Sequence, residues 1–87
     1  LKLIPKEIDL LGRSTLLPKT YKRLLDTNFS FMCKENRSAV DYLEFCKHFN
    51  TIILRDIPII KMNEVDVLRR FIVFIDTLYD NKVKLVS

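Results

Sequence analysis

The sequence has one glycine, one histidine, two cysteines and no tryptophan among its 87 residues. A single glycine, Gly12, excludes a glycine-rich phosphate-binding loop within this sequence, because such a loop needs several glycines close together. His48, Cys33 and Cys46 are too few to supply the four clustered ligands of a structural zinc site. We therefore expect two reduced thiols and no metal. The residues also offer no Ser–His–Asp or Cys–His set for nucleophilic catalysis.

Long apolar runs are absent as well. None approaches the roughly 20 consecutive apolar residues that cross a bilayer, so we expect this chain to meet a membrane only indirectly. The composition, 48% hydrophobic and 30% charged, is typical of a globular protein. The net charge of +4 permits acidic partners. Lys19, Lys22 and Arg23 beside Tyr21 have the composition of a nucleic-acid patch, but we interpret them as solvated surface and do not expect nucleic acid binding.

The length of the chain limits it to one hydrophobic core. The sequence starts at Leu1 rather than at a methionine. The parallel strands that are predicted below would need cover on both faces of their sheet. We therefore expect residues 1–87 to be a single domain or an excerpt from a longer protein.

The N-terminal third predicts a β-hairpin. Apolar and polar residues alternate on both sides of Gly12, which indicates a hairpin over residues 7–17. Pro18 is expected to end the second strand. Residues 19–27 are ambiguous. Residues 28–33 fit either a short strand or a strand that runs into one helical turn.

The sequence predicts a helix after the hairpin region. Ser38 is a good N-cap residue, and Asp41 stands three residues later, where it can complete an approximate capping box. Apolar residues then recur at helical spacing up to Phe49. We predict a helix over residues 38–49.

The C-terminal half predicts a βαβ unit. Residues 51–57 are rich in β-branched and aliphatic side chains, and Pro58 stops this strand. Residues 63–80 carry two adjacent apolar stripes at helical spacing, with Asn63 as the expected cap. Residues 82–86 form the next predicted strand. Strand, helix and strand over about 37 residues indicate two parallel strands joined by a crossover helix, and hence an α/β fold.

Two adjacent arginines, Arg69 and Arg70, lie near the start of the long predicted helix. Asp66 precedes Arg70 by four residues, so an ordinary surface ion pair is available and both arginines can be solvated charges. Alternatively, one of them reaches a phosphate or carboxylate, which suits the planar guanidinium group. Neighbouring residues on a helix point about 100° apart, so the two arginines need not share one role.

Asp56 stands near the end of the predicted strand, where P-loop ATPases carry an acidic residue. Ile57 follows it in the place of a catalytic glutamate. We therefore interpret Asp56 as a structural, strand-end acid and assign no catalytic residue within this sequence.

Several short motifs occur here in the order and spacing of one family. They are Gly12-Arg13, Phe29 with Cys33, Asp41-Tyr42, Phe49 with Thr51, Pro58, Arg69–Phe71, Ile75-Asp76, Leu78–Asp80 and Val83–Leu85. In these motifs the sequence resembles the ATPase-family-gene-one type of AAA+-related P-loop ATPases (the lactation elevated protein one and ZapE family). The resemblance covers most of residues 8–87. Met32, Leu68 and residues 18–27 depart from the family pattern.

The resemblance implies the distal part of an α/β ATPase body whose Walker A and Walker B motifs lie elsewhere in the parent protein, together with the sites for ATP and Mg²⁺. It implies a chaperone-like role in mitochondrial protein quality control, or an association with the division machinery in a bacterial cytoplasm. The expected partners are the remainder of the ATPase chain, further copies of the parent, and protein substrates. Arg69 or Arg70 would then read the γ-phosphate of the nucleotide or form a structural or intersubunit ion pair.

Three functional hypotheses follow. In the first, the chain belongs to an ATP-driven motor and is inactive by itself because it lacks a phosphate loop. In the second, it is a non-catalytic module that docks substrate or adaptor proteins through the hairpin and the basic residues 18–23. In the third, it binds nucleic acid, which would require strongly salt-dependent binding.

Overall fold

The computed structural model of the chain describes residues 2–35 and 37–87. Three strands are followed by a π-helical turn, a helix, a strand, a longer helix and a last strand. We label them β1 (Ile4–Leu10), β2 (Arg13–Tyr21), β3 (Leu24–Asn28), the π-turn (Ser30–Lys34), α1 (Ala39–His48), β4 (Thr51–Arg55), α2 (Val65–Asp80) and β5 (Lys84–Val86).

The strands form one mixed sheet in the order β1-β2-β3-β4-β5. β1, β2 and β3 are antiparallel neighbours, whereas β3, β4 and β5 run parallel to one another. The predicted α/β fold is confirmed, because β4, α2 and β5 form a βαβ unit with adjacent parallel strands. A second parallel pair, β3 and β4, is joined through the π-turn and α1, and this crossover was not predicted.

The hairpin is longer than the predicted range of 7–17, since its strands extend from residue 4 to residue 21. Its two-residue turn consists of Leu11 and Gly12, which both have positive φ, 54° and 82°. Two consecutive left-handed residues give a turn whose twist matches that of the flanking strands. Glycine adopts this conformation freely, whereas Leu11 does so at a steric cost.

Pro18 lies inside β2 and does not end it. The pairing register of β1 and β2 shifts between Ile4, which faces Thr20, and Lys6, which faces Leu17. A residue without an N–H is tolerated at such an irregularity because the regular ladder is interrupted there. β2 therefore continues to Tyr21 and pairs with β3.

The ambiguous region after β2 contains β3 and the π-turn. Residues 24–28 pair in parallel with residues 51–55, and the chain then makes one short helical turn from residue 30 to residue 34. This arrangement corresponds to the second predicted alternative for residues 28–33, a strand that runs into a helical turn.

The helices begin close to their predicted starts. Ser38 caps α1, and its side chain and the Asp41 carboxylate form a capping box. α2 begins at Val65 with Glu64, not Asn63, at the N-cap. The Glu64 carboxylate accepts a hydrogen bond from the Lys61 N–H at 3.3 Å, which closes the preceding turn. The N-cap is therefore one residue later than predicted, and the helix starts two residues after the first residue of the predicted range.

Both strands of the βαβ unit are shorter than their predicted ranges of 51–57 and 82–86. β4 ends at Arg55 and β5 begins at Lys84. Asp56 and Lys82 have positive φ values of 60° and 57°, which no extended strand can include. The chain therefore leaves β4 at Asp56 and turns at Lys82 before β5 starts.

α1 and α2 pack against each other and cover one face of the sheet. Tyr42 of α1 meets Phe74 of α2 with 5.1 Å between ring centroids. Phe45 and Phe49 are fully buried in the same core. Aromatic pairs of this kind add about 0.5–1.5 kcal/mol to the stabilisation from area burial, so the Tyr42–Phe74 contact helps to hold the two helices together.

The π-turn is fixed by three side chains from outside it. The carbonyl oxygens of Phe31, Met32 and Cys33 accept hydrogen bonds from Arg37 Nε (2.7 Å), Tyr42 Oη (2.8 Å) and Arg70 Nε (2.7 Å), respectively. Carbonyls near the end of a short helical turn lack intrahelical donors, and these side chains supply them. The π-turn is therefore tied to α1 and to α2 through its own main chain.

The opposite face of the sheet has no helix over it in residues 2–35 and 37–87. Because side chains alternate along a strand, Ile52 and Leu54 point into the core, while Ile53 and Arg55 point to this open face. β5 lies at the end of the strand order, so within the described residues its outer edge is unpaired. Parallel strands are usually covered on both faces of their sheet, so the open face and the unpaired edge are unusual features of this fold.

Replacing Tyr42 with Phe tests the fixing of the π-turn. The change removes the buried hydroxyl that donates to the Met32 carbonyl, and we expect a loss of about 1–2 kcal/mol in the free energy of unfolding. Urea denaturation followed by far-UV circular dichroism measures it. Tyr79→Phe is the matched control, since the Tyr79 side chain is 75% exposed and should be replaceable without loss. Equal stabilities of the two variants would contradict this role of Tyr42.

Candidate functional site

The carboxyl ends of β3 and β4 lie at one edge of the sheet, because the two strands are parallel and pair in register from Leu24–Thr51 to Asn28–Arg55. In open α/β sheets this edge is the usual place of ligand binding. A cleft of about 180 Å³ opens here, and its polar lining comes from Lys19, Asp26, Thr27, Asn28, Arg55 and Asp56. We call it the carboxyl-edge cleft.

Asp26 and Arg55 form the main charged pair of the carboxyl-edge cleft. Arg55 donates from Nε and Nη2 to the two carboxylate oxygens of Asp26, at 2.7 and 2.9 Å. This hydrogen bonding to Arg55 lowers the pKa of Asp26 below its ordinary value of 3.8, with a smaller contribution from Lys19, although burial of the carboxylate opposes the shift. The bidentate geometry fixes both side chains and leaves the guanidinium partly open to solvent.

Asp56 follows this pair directly and lines the same cleft. Its side chain is exposed and its backbone is left-handed, with φ of 60°. Aspartate tolerates this conformation better than most residues because its short polar side chain can hydrogen-bond locally. The structure thus places Asp56 in the turn that follows the last residue of β4.

Arg70 lies in the second turn of α2 and is half-buried. It does not form the predicted ion pair with Asp66 among the described residues; its Nε donates to the Cys33 carbonyl instead. Its two terminal nitrogens donate no hydrogen bond to any side chain or carbonyl of the described residues. The bond at Nε fixes the orientation of the guanidinium group and leaves the chemistry for a bidentate contact with an anion at its terminal nitrogens.

Arg69 differs from its neighbour. It is exposed, and it lines a shallow groove of about 270 Å³ with Val65, Leu68, Ile72 and Val73 on the outer side of α2. The structure therefore separates the two candidate arginines: Arg70 is anchored toward the π-turn and Arg69 faces outward.

Two of the short motifs, Gly12-Arg13 and Asp41-Tyr42, come together between the hairpin and α1. Arg13 Nη2 lies 3.7 Å from Asp41 Oδ1, and the Asp41 side chain is only 4% exposed. Asp41 Oδ2 accepts the Ser38 N–H at 2.9 Å, whereas Oδ1 has no hydrogen-bond partner among the described residues. Arg13 thus neutralises a buried carboxylate that local bonds satisfy only in part.

The cysteines are both free. Cys33 is buried and Cys46 is half-buried. Burial raises the pKa of the Cys33 thiol to about 11, against the opposing charge of Arg70, and it also raises the pKa of Cys46. Thiols whose pKa is raised above its ordinary value are poor nucleophiles at neutral pH, because little thiolate is present.

The described residues do not fit ATP and Mg²⁺ by themselves. The sole glycine, Gly12, lies in the hairpin turn, so no glycine-rich loop is present to bind phosphates. Within residues 2–35 and 37–87, no three His, Cys, Asp or Glu side chains come together as metal ligands. In the same ranges, no helix combines the length and the apolar character of a membrane span.

Sequence reasoning missed the Asp26–Arg55 pair and the role of Arg37. The pair joins residues 29 apart in sequence, and only the parallel register of β3 and β4 brings them together. Arg37 lies over the Phe31 ring at 4.2 Å while it donates to the Phe31 carbonyl. The basic and apolar spacing around residue 37 gives no periodic signal that would have revealed this.

The chain is similar to known proteins over nearly its whole length. The family model for AFG1-like ATPase matches residues 4–87. Lactation elevated protein 1 homolog B of Danio rerio is 35% identical over 82 residues, which cover 94% of this chain and 16% of that protein. An uncharacterized protein of Schizosaccharomyces pombe is 36% identical over 80 residues, 92% of this chain and 18% of its own length.

A bacterial protein is similar over a shorter stretch. The cell division protein ZapE of Escherichia coli K12 is 36% identical over 62 residues, which cover 71% of this chain and 16% of ZapE. The chain therefore spans about a sixth of the length of these relatives. No solved structure matches it significantly.

The Asp26–Arg55 pair predicts a pH dependence of stability. Because the pKa of Asp26 is lower in the folded protein than in the unfolded chain, its ionised form stabilises the fold. This contribution is complete above the unfolded-state pKa and is lost as the pH falls through the lower, folded-state pKa. We expect Asp26→Asn to be less stable than wild type by a constant amount from about pH 7 to pH 5, with a difference that shrinks below about pH 4.

Urea denaturation of both proteins across this pH range measures the difference. Asp9→Asn serves as the control, because Asp9 is exposed on β1 and has no ion-pair partner among the described residues. A difference between wild type and Asp26→Asn that stays constant even at the lowest pH of the series, well below the folded-state pKa, would contradict the prediction.

Proposed function

This chain belongs to the AFG1-like ATPase family, and we propose that it forms part of the α/β body of an ATP-hydrolysing protein, packed against the nucleotide-binding region of the same polypeptide. The observation that carries this proposal is the unfinished sheet. Its three parallel strands have helices on one face only, and β5 ends the sheet with a free parallel edge in the described residues. Parallel sheets are almost always covered on both faces, so the open face needs a further layer.

The open face has the composition of a surface that becomes buried. Ile53 of β4 and Val86 of β5 face each other across the strand pair, and Val86 is 44% exposed. Together with Ile57 they line a wide depression of about 600 Å³. Apolar side chains at the end of a sheet favour packing against another part of the protein over contact with water.

The role of Arg70 in this proposal is to contact the γ-phosphate of ATP bound by the nucleotide-binding region. Its support is geometric: the Cys33 carbonyl holds Nε at 2.7 Å and orients the group without occupying its terminal nitrogens. A cation that is already oriented stabilises developing charge during phosphoryl transfer with little reorganisation. The phosphate loop and the Mg²⁺ ligands would come from the remainder of the ATPase.

We extend the proposal to a chaperone-like role that acts on protein substrates. In a eukaryotic host this role would be exerted in mitochondrial protein quality control, and in a bacterial host in the cytoplasm with the division machinery. Its support is the resemblance of the motifs, together with relatives from a vertebrate, a yeast and a bacterium.

The coding region that precedes Leu1 provides the first test. We expect an apolar strand followed by G-x-x-x-x-G-K-[ST], with an Asp-Glu strand end further on. A start codon directly before Leu1 would leave a free-standing module, and the proposal would fall.

Substitution of Arg70 in the full-length ATPase tests its assigned contact. We expect Arg70→Ala to lower ATP hydrolysis by roughly 10²–10³-fold, as the loss of one transition-state donor does, while ADP still binds. Hydrolysis assays measure the rate of ATP turnover, ADP titration measures nucleotide binding, and circular dichroism measures whether the variant is folded. Retained ADP binding separates a lost γ-phosphate contact from unfolding, which would remove both. Full hydrolysis by a folded Arg70→Ala protein would exclude the contact.

A second candidate function is a module that docks substrate or adaptor proteins without meeting nucleotide. It is favoured by the connection between β4 and α2, where Ile59 and Met62 are 93% and 96% exposed. Two apolar side chains this exposed within four residues of one loop can contribute to a binding surface. Under this alternative, replacing both with Ser would abolish partner binding, while Arg70→Ala would leave hydrolysis unchanged.

A further inference from the structure

The outer side of α2 carries a continuous apolar stripe. Val65, Leu68, Ile72, Ile75 and Tyr79 recur at alternating intervals of three and four residues. All but the half-buried Ile75 are exposed, by 42% at Leu68 and up to 75% at Tyr79. This spacing is that of the a and d positions of a coiled coil. We call these five residues the outer seam.

Apart from Ile75, which also packs against the core, the outer seam is separate from the side of α2 that forms the core. Phe74, Thr77 and Leu78 are buried against the rest of the protein, on the opposite side of the helix. The outer seam is therefore a second contact surface of α2, in addition to the side that packs against the core. Its groove, lined by Val65, Leu68, Arg69 and Ile72, is the kind of hole that receives one side chain of a facing helix.

Two charges flank the outer seam, Arg69 and Asp76. Both are exposed, and neither forms an ion pair within the residues that the structure describes. With Val65 and Ile72 at a positions, Arg69 and Asp76 are successive e positions. Each follows a seam residue, Leu68 or Ile75, and lies on the same side of the stripe.

We propose that the outer seam binds the outer seam of a second copy of this chain, with the two α2 helices antiparallel about a two-fold axis. In this arrangement Ile72 lies opposite Ile75 of the second copy, and Leu68 lies opposite Tyr79 of the second copy. Antiparallel packing brings e positions of the two helices side by side, so Arg69 of each copy meets Asp76 of the other. The symmetry forms this pair twice.

The self-complementary charges favour this occupant and this direction. A two-fold interface uses the same surface on both copies, so a cation and an anion placed on one helix must match each other, as Arg69 and Asp76 do. A parallel pairing would place e positions beside g positions, which are Phe71 and Leu78. Phe71 packs on Phe29 at 5.3 Å and Leu78 is buried, so neither offers Arg69 a partner. The inference goes beyond the proposed ATPase role and does not depend on it.

Charge exchange across the seam tests the proposal with this 87-residue chain. Sedimentation equilibrium should give wild type a concentration-dependent mass that approaches twice the 10.3 kDa of one chain. Arg69→Glu alone and Asp76→Arg alone should each weaken association by roughly tenfold or more, because each creates two like-charge contacts. The double variant, and an equimolar mixture of the two single variants, should regain wild-type association.

The mixture is the decisive sample. In its heterodimer the two substituted side chains, one from each chain, form one contact of opposite charge, and the unchanged Asp76 and Arg69 form the other. The charges therefore match only if they meet between chains. Asp80→Arg is the matched control, since it makes the same charge change at an exposed position of α2 outside the seam and should not weaken association. Circular dichroism verifies that each variant is folded. A monomeric wild type, or association that the mixture does not restore, would overturn the proposal.

Discussion

Three consecutive carbonyl groups in the π-turn determine how this small domain is assembled. Phe31, Met32 and Cys33 each present a carbonyl oxygen to a side chain from another part of the chain, at 2.7–2.8 Å. The donors come from the segment before α1, from α1 itself and from α2. A five-residue turn has too few internal hydrogen bonds to hold its own shape. It therefore depends on these donors, and they in turn set where both helices lie on the sheet.

The position of α2 follows from that junction, and so does the division of roles between its two arginines. Arg70 points toward the π-turn and becomes part of the packing, whereas Arg69, one residue earlier, points to the outside. A helix advances about 100° per residue, so adjacent identical residues can serve different surfaces. The pair is best understood as two single residues, one anchored within the domain and one available to a neighbour.

The sequence was most informative where local chemistry decides the structure. Ser38 and Asp41 indicated the start of α1, and the two apolar stripes indicated that α2 is a helix. Only the stripe with Phe74 and Leu78 is buried, whereas most of the other stripe is exposed. The sequence was least informative about β3, because the short apolar pattern of this segment does not identify a strand until its pairing with β4 is known. Asp26 and Arg55 are 29 residues apart, and no local period connects them. Pro18 was misleading for the same reason, because the irregular pairing with β1 that accommodates it is a property of two strands.

The fully buried Cys33 has a consequence for observing this junction. Its thiol has a pKa raised to about 11 and no access to solvent, so it is inert toward alkylating reagents while the π-turn is packed. Labelling at neutral pH can proceed only from molecules in which the turn has opened, and its rate is then proportional to the population of that open form. The domain thus contains a built-in chemical reporter at the point where its helices join, distinguishable from the more accessible Cys46 by the slower rate of its reaction.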